Sequence, residues 1–428
     1  MEQKGAGSGG EDEEQRGNPR RNFITHSGAL AASALMATVA APVREGAWAA
    51  GSDAPEKTEL RIGFIPLTDC APIAVAVAQG FDRKYGLQIV PVKQPSWAAV
   101  RDGLLNGDLD AAHLLYGLAY GVHMGIAGLQ RDMAVLMTLN QNGQGITLSG
   151  RLRDLGVTDG QALSAYVRFH PGELGFAQTF PTGTHAMWLY YWLAAHGIHP
   201  FRDVGTTVVP PPQMVARLRA GFIDGCCVGE PWNARAIQEE VGFTAATSQQ
   251  VWPDHPEKAL GTTAAFVERN PNSARALVMA LLEACRFIDA TANRRQVADL
   301  IAGANYTGTP VDIIAPRFLG NYEDGLGRKW KDSHAIRFHD DGAVNFPWLS
   351  DGMWFLTQQR RWGLLKREPD YAAVAARVNR TDLYAQAAAQ VGVASPRDPL
   401  RVSTLMDGVV WDGRRPAHYA AGFELKMA

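Results

Sequence analysis

Three histidines, His185, His196 and His199, are close enough in the sequence to suggest metal chemistry, because imidazole is a common ligand of transition metals. On one helix His185 and His196 would share a face. No acidic residue follows at a ligand spacing, and we therefore predict that these histidines hold no metal. The adjacent Cys226 and Cys227 lie in a predicted strand, where neighbouring side chains point to opposite faces, so we interpret both as buried core thiols.

Motifs of common catalytic and nucleotide-binding sites are absent from residues 50–428, including G-x-S-x-G, the P-loop, G-x-G-x-x-G, H-E-x-x-H and C-x-x-C. We therefore predict a protein that is not an enzyme and needs no cofactor. The 428 residues are 46% hydrophobic and 20% charged, which is typical of a globular protein. Their net charge of −2 lacks the basic character of nucleic-acid-binding proteins, so we expect no nucleic-acid partner.

Residues 1–49 have the pattern of a twin-arginine signal peptide. Arg20 and Arg21 precede an alanine-rich apolar run at 28–43, and an A-x-A cleavage site follows at 47–49. The run is too short and too weakly hydrophobic to cross about 30 Å of hydrocarbon. The sequence thus predicts export of the folded chain to a periplasm, where it could associate with the inner membrane through a transporter.

The residues after 58 predict alternating strands and helices. Strands are expected at 58–66, 88–92 and 109–115. The helix between the second and third strands begins after Ser96 and ends at Gly107, since serine is a common N-cap and glycine a common C-cap. This βαβαβ order predicts a parallel sheet covered by helices.

A similar order recurs in the next hundred residues. The pattern L-x-x-G-x-L-D at 104–110 returns 114 residues later as L-x-x-G-x-I-D at 218–224, and I-G-F at 62–64 resembles L-G-F at 174–176. These offsets predict two equivalent α/β lobes. We expect lobe 1 to begin with 58–141, lobe 2 to span 142–258, and 259–428 to return to lobe 1 with a helical C-terminal region. Clefts between such lobes bind small ligands.

Seven short motifs make the chain resemble the solute-binding subunits of ABC importers for nitrate, nitrite and bicarbonate. They are GFIPLTD at 63–69, PSWAA at 95–99, NGQGIT at 142–147, FPTGTH at 180–185, PPPQM at 210–214, GEPWN at 229–233 and HPEKALG at 255–261. The resemblance covers most of the chain from Leu60 to Val391. It implies a two-lobed, type II-like periplasmic-binding-protein fold, with a parallel-rich sheet in each lobe and an anion closed between them.

In the nitrate-binding members of this family a Trp, a Gln, a His and a Lys hold the anion, and the matching positions are Trp97, Gln144, His185 and Lys258. The chemistry agrees with this implication. Nitrate only accepts hydrogen bonds, so its site needs donors and about one positive charge. Lys258 supplies the charge, the indole of Trp97 and the amide of Gln144 can donate, and His185 lies in the first turn of a predicted helix, where the dipole favours an anion.

Two further residues, Thr68 and Gly183, are secondary ligand candidates, because both lie at predicted helix starts that would point into the cleft. The neighbouring Asp69 would repel an anion if it faced the site. We therefore interpret Asp69 as a helix cap.

Bicarbonate is the main competing ligand, since it has the shape and charge of nitrate but carries one O–H donor. The resemblance implies that bicarbonate-binding relatives have an acidic residue at the position of Lys258 and lack a histidine at 185, so this chain favours nitrate or nitrite. Another small solute, or a nitrate/nitrite sensor with a cytoplasmic partner, stays open. The signal peptide favours a receptor that delivers its anion to permease and ATPase subunits, and we expect a monomer.

Overall fold

A computed structural model describes residues 53–126 and 128–427, so the predicted signal peptide lies outside the described residues. The strands, in chain order, are β1 (Glu59–Phe64), β2 (Gln88–Lys93), β3 (Ala111–Leu115), β4 (Met133–Gln141), β5 (Gln144–Ser149), β6 (Gly175–Gln178), β7 (Gly205–Val208), β8 (Gly225–Gly229), β9 (Gly242–Thr247), β10 (Pro256–Thr263), β11 (Asn321–Glu323), β12 (Lys329–Lys331), β13 (Ser403–Thr404) and β14 (Val410–Trp411).

Helices separate and follow these strands. The α-helices are α1 (Ala71–Ala78), α2 (Phe81–Lys84), α3 (Trp97–Asn106), α4 (Tyr116–His123), α5 (Gly150–Asp154), α6 (Gly160–Phe169), α7 (Thr184–Ala195), α8 (Met214–Arg219), α9 (Trp232–Gln238), α10 (Ser248–Val251), α11 (Ala264–Arg269), α12 (Pro271–Asp289), α13 (Arg294–Ala302), α14 (Val311–Phe318), α15 (Leu349–Arg361), α16 (Tyr371–Val378), α17 (Thr381–Gln390) and α18 (Pro416–Ala421). Short 3₁₀ turns are at Thr68–Cys70, Pro211–Gln213, Thr291–Asn293 and Asp340–Gly342.

Two five-stranded sheets with the same plan organise these elements. The first has the order β2-β1-β3-β10-β4 and the second the order β7-β6-β8-β5-β9. In each sheet the first three strands are parallel, and one reversed strand, β10 or β5, pairs antiparallel with both neighbours. The predicted α/β fold with two parallel-rich sheets is thus confirmed.

The internal repeat extends to hydrogen bonds at equivalent strand starts. Oδ2 of Asp110 accepts a bond of 2.9 Å from the backbone N–H of Arg61, and Oδ2 of Asp224 accepts a bond of 2.9 Å from that of Gly175. Arg61 and Gly175 are 114 residues apart, so the predicted alignment of Gly63 with Gly175 is wrong by two residues. Strand side chains alternate with a period of two, and a slip of two residues therefore leaves the hydrophobic pattern unchanged.

The chain passes from the first sheet to the second between β4 and β5 and returns between β9 and β10. The first crossing turns at Asn142 and Gly143, which have φ values of 62° and 83°. Asparagine and glycine adopt this left-handed conformation more readily than other residues. Each crossing leads directly into the reversed strand of the other sheet, and these two strands carry Gln144 and Lys258. The lobe limits at 141 and 258 stay a prediction.

Local signals in the sequence account for several helix limits. Oγ of Ser96 accepts a bond from the N–H of Ala99 at the start of α3, and Gly107 ends that helix with φ 80°. Helix α12 buries Leu277, Leu281, Ala284 and Ile288, as its spacing predicts. Cys226 and Cys227 are buried in β8, which confirms them as core residues. Among the described helices, none is long and apolar enough to cross a membrane.

Candidate functional site

The four main predicted site residues lie in one buried cluster between the two sheets. Trp97 begins α3 and Lys258 lies in β10, both on the side of the first sheet. Gln144 begins β5 and His185 is the second residue of α7, both on the side of the second sheet. All four are at most 1% exposed. Each sheet therefore supplies two of the four side chains, although their role toward an anion stays a prediction.

Gln144 connects the other polar members of this cluster. Its Oε1 lies 2.9 Å from Nε2 of His185 and 3.5 Å from Nζ of Lys258. The hydroxyl of Thr179 lies 2.6 Å from Nδ1 of His185, so a neutral imidazole with its proton on Nε2 satisfies both contacts. Burial is the main cause that holds the pKa of His185 well below its usual value, and the charge of Lys258 adds to it. His185 is therefore a neutral donor at physiological pH.

Trp97 brings an indole N–H that no described residue accepts. Its ring stacks on His113 with 5.2 Å between centroids, and Nζ of Lys258 lies 5.7 Å from the ring centroid of Trp97. Nε1 of Trp97 is buried and has no hydrogen-bond partner among the described residues. Four other buried indole nitrogens also lack a partner among the described residues, so the N–H of Trp97 points to an acceptor only together with its position near Lys258.

Asp69 belongs to the cluster and is not a helix cap. Its Oδ1 lies 3.2 Å from Nζ of Lys258 and accepts bonds from Asn140 (2.8 Å) and Gln144 (3.0 Å). The 3₁₀ turn Thr68–Cys70 begins after Leu67 with no side-chain cap. The predicted capping role is therefore wrong, because the carboxylate bonds to a buried ammonium and to two amides instead of to the backbone N–H groups of the turn.

Glu257 is a second carboxylate in the cluster, and our sequence analysis missed it. Its Oε1 accepts bonds from Lys258 (2.9 Å) and Thr184, while Oε2 accepts a bond of 2.7 Å from Nε1 of Trp188. Strict strand alternation would turn Glu257 away from Lys258. However, the pairing of β10 with β4 shifts register on both sides of Lys258, and such irregularities re-aim side chains.

The two secondary candidates lie at the edge of this cluster. Thr68 is buried, and its Oγ1 has no hydrogen-bond partner in the described part of the chain. Gly183 is the N-cap of α7, the helix that carries Thr184 and His185. The N-terminus of α7 already faces a negative charge, since Thr184 donates to Glu257. Their contact with an anion also stays a prediction.

The electrostatic balance of the cluster is unusual for an anion site. One ammonium, Lys258, lies between two carboxylates, Asp69 and Glu257, and the three side chains are fully buried. Burial raises the pKa of Asp69 above its usual value, the charge of Lys258 opposes this, and Glu257 adds to it. A small anion would therefore meet the N–H of Trp97 and would share the ammonium of Lys258 with the two carboxylates. Within residues 53–126 and 128–427, no group of three His, Cys, Asp or Glu residues could hold a metal ion.

Comparison with known proteins points to one family. Residues 53–302 match the profile of the NMT1-like family. The nitrate/nitrite-binding protein NrtA of Synechocystis is 38% identical over 390 residues, which cover 88% of this chain and 87% of that protein. A crystal structure of the periplasmic nitrate-binding protein NrtA from Synechocystis PCC 6803 has a TM-score of 0.83 at 38% identity, over 87% of this chain and 100% of that chain.

Two further relatives are an ATP-binding protein and a bicarbonate-binding protein. The nitrate import ATP-binding protein NrtC of Synechocystis is 36% identical over 90% of this chain, a match that covers 58% of that protein. The bicarbonate-binding protein CmpA of Synechococcus is 31% identical over 96% of this chain and 98% of its own length.

Proposed function

We propose, because this chain belongs to the NMT1-like family, that it is the substrate-binding component of an ABC importer and binds nitrate. Within that family the chain belongs to the solute-binding proteins of nitrate, nitrite and bicarbonate importers. The observation that carries the proposal is the buried cluster of Trp97, Gln144, His185 and Lys258 between the two sheets. These side chains are an indole, an amide, a neutral imidazole and an ammonium. All four are hydrogen-bond donors, and of the four only the indole has no partner among the described residues.

Nitrate fits this donor set because it is planar, carries one negative charge and never donates a hydrogen bond. The N–H of Trp97 has no partner among the described residues, and the ammonium of Lys258 lies 5.7 Å from the Trp97 ring centroid, so we propose these two groups as donors for two of its oxygens. Nitrite offers the same kind of acceptors in a smaller ion, so we propose it as a second ligand of the same donors.

Bicarbonate is a second candidate ligand, and one observation favours it. Oδ2 of Asp69 is buried without a partner among the described residues and could accept a bond from the O–H of bicarbonate. The positive charge at position 258 and the histidine at 185 favour nitrate, as does the 38% identity to a nitrate/nitrite-binding protein against 31% for a bicarbonate-binding one. Nitrate is therefore the first ligand that we propose.

The transport setting forms part of the proposal. We infer that the chain works in a periplasm, is exported by its twin-arginine signal, and delivers its anion as a monomer to permease and ATPase subunits. Replacement of Arg20 and Arg21 by lysine tests the export route, because the guanidinium groups are not equivalent to ammonium groups in recognition. Precursor should accumulate in the cytoplasm, and normal export of the variant by this pathway would contradict the signal assignment.

Isothermal titration of the purified protein tests the ligand. Nitrate, nitrite, bicarbonate, chloride and sulfate are titrated in one buffer at a fixed pH. We expect a single site for nitrate, with affinity for nitrite closer to that for nitrate than to that for chloride. Saturating nitrate at about 100 times Kd should also stabilise the protein by roughly 2.7 kcal/mol. Tighter binding of bicarbonate than of nitrate would replace the proposed ligand, and no binding of any of these ions would overturn the function.

A further inference from the structure

The charges around Lys258 do not favour a bound anion unless one of the two carboxylates is neutralised. Lys258 lies 3.2 Å from Asp69 and 2.9 Å from Glu257, and all three side chains are fully buried. With both carboxyls ionised the three groups sum to one negative charge, and a bound monovalent anion would make two. An uncompensated charge buried away from water is very costly, and ionisable groups in such a place commonly neutralise instead.

The nearby histidines do not supply the missing positive charge. Burial and the charge of Lys258 hold the pKa values of His113 and His185 well below their usual value. Burial also lowers the pKa of His255, to about 3. All three imidazoles are therefore neutral at physiological pH. A compensating proton must then go to a carboxylate.

The two carboxylates have different hydrogen-bond partners. Both oxygens of Glu257 accept bonds, Oε1 from Lys258 and Thr184 and Oε2 from Trp188. All the bonds to Asp69 go to Oδ1, and Oδ2 has no partner among the residues described. A proton on either oxygen of Glu257 would therefore displace one of these bonds. Asp69 has one oxygen that can take a proton without losing any bond.

Oδ2 of Asp69 lies on the side of the second sheet, and the anion is proposed to bind between the two sheets. A Cβ atom added at Gly229, the last residue of β8, would lie 3.3 Å from it. The groups that face Asp69 from other elements are Glu257 and Lys258 on β10, Asn140 on β4 and Gln144 on β5, with Cys70 and the ring of His113 beside it. Lys258 is the one cation in that set, and it is shared with Glu257.

We propose that nitrate binds together with one proton, which Oδ2 of Asp69 takes from the solvent and then donates as an O–H to the anion. The anion, the neutral carboxyl, Lys258 and Glu257 then sum to one negative charge, the same as before binding. Asp69 thereby becomes a hydrogen-bond donor that suits nitrate, whereas the ionised Asp69 would be an acceptor that suits bicarbonate. Burial already raises the pKa of Asp69, and a bound anion raises it further.

Calorimetry in buffers with different ionisation enthalpies measures this proton directly. Nitrate is titrated into the full protein between about pH 6 and pH 9, and we expect uptake that approaches one proton per anion as the pH rises, with affinity falling towards tenfold per pH unit. In Asp69→Asn the amide cannot titrate, so proton uptake should disappear. Glu257→Gln should lower the uptake as well, because Lys258 then compensates an ionised Asp69 and the bound anion leaves one negative charge without a proton. Asp110→Asn is the matched control, because Asp110 is a buried carboxylate outside the cluster.

The outcomes separate this inference, which rests on the proposed function, from the function itself. Nitrate binding by the wild type without proton uptake at any of these pH values would overturn the proton inference and leave the function standing. Uptake that persists in Asp69→Asn would place the proton on another group, Lys258 included, and would also overturn it. If Asp69→Asn fails to fold, the presence or absence of proton uptake by the wild type decides the inference. No nitrate binding at any pH would instead contradict the proposed function.

Discussion

Nζ of Lys258 lies 3.2 Å from Oδ1 of Asp69, and the two residues are 189 positions apart in the sequence and fully buried. The single ammonium of the cluster is thus already paired inside the protein. An anion that approaches Lys258 must share it with carboxylates. The affinity, the pH dependence and the stability of this region are therefore linked through the same few side chains.

Loss of the Lys258 charge should weaken both the fold and the site. In Lys258→Gln, Asp69 and Glu257 remain buried without a cation, which typically costs about 3–5 kcal/mol of unfolding free energy. Nitrate affinity should fall by roughly 30-fold to several thousand-fold, since a buried charged contact is worth about 2–5 kcal/mol. Urea unfolding and calorimetry measure the two effects. Lys57→Gln is the control, because the ion pair of Lys57 with Asp110 is partly exposed and should contribute at most about 1 kcal/mol. Equal effects of the two variants would contradict the central role of Lys258.

Trp97→Phe should affect binding more than stability. It removes an N–H that has no partner among the described residues and keeps an aromatic ring against His113. A hydrogen bond to a charged acceptor is worth about 1.5–3 kcal/mol, so we expect nitrate affinity to fall by roughly 10- to 150-fold. Trp362→Phe is the matched control, since Nε1 of Trp362 is also buried and has no partner within the described part of the chain. Both variants should lose similar stability, and a normal nitrate affinity in Trp97→Phe would place the anion elsewhere.

Gly229 limits the space around Gln144 and Asp69. A Cβ atom at this position would lie 2.5 Å from Oε1 of Gln144, so Gly229→Ala must displace the amide. We expect at least about a tenfold loss of nitrate affinity, which corresponds to 1.4 kcal/mol. Gly175→Ala in the same sheet is the control, because its nearest neighbour would be 3.9 Å away. The prediction fails if the two alanine variants bind nitrate equally well in titrations.

His255 should make the protein less stable in acid. Burial lowers its pKa from 6.5 to about 3, so between these pH values the unfolded chain binds a proton that the folded chain does not. Stability is then lost as the pH falls below about 6.5, by up to about 1.4 kcal/mol per pH unit for this residue. Urea unfolding between about pH 7 and pH 5 gives the unfolding free energy at each pH. This free energy should change less steeply with pH for His255→Gln than for the wild type. Identical slopes would mean that His255 is not buried as a neutral imidazole.

Much of the fold follows from local patterns in the sequence. Ser96 and Gly107 limit α3 through a side-chain cap and a left-handed glycine, interactions within a few residues that a sequence displays. The repeat of two sheets is visible for the same reason, because equivalent turns and strand starts need equivalent residues. The register of the repeat was predicted wrongly by two residues, since strand periodicity does not distinguish a slip of that size.

The charges of the candidate site depend on contacts that no local pattern reveals. Asp69 has the position of a helix cap, and its true partner lies in β10, which returns from the second sheet. Glu257 stands next to Lys258, where alternation predicts the opposite face, but the register shifts of β10 direct both side chains to one cluster. Sequence reasoning therefore named four side chains of the cluster and did not place the carboxylates of Asp69 and Glu257 beside them.

A crystal structure of the protein with bound nitrate tests the central claim most directly. We predict one anion between the two sheets, with oxygens within about 3.2 Å of Nε1 of Trp97 and Nζ of Lys258. An anion that is ordered elsewhere, with neither of these nitrogen atoms among its contacts, would contradict the assignment of this cluster as the binding site.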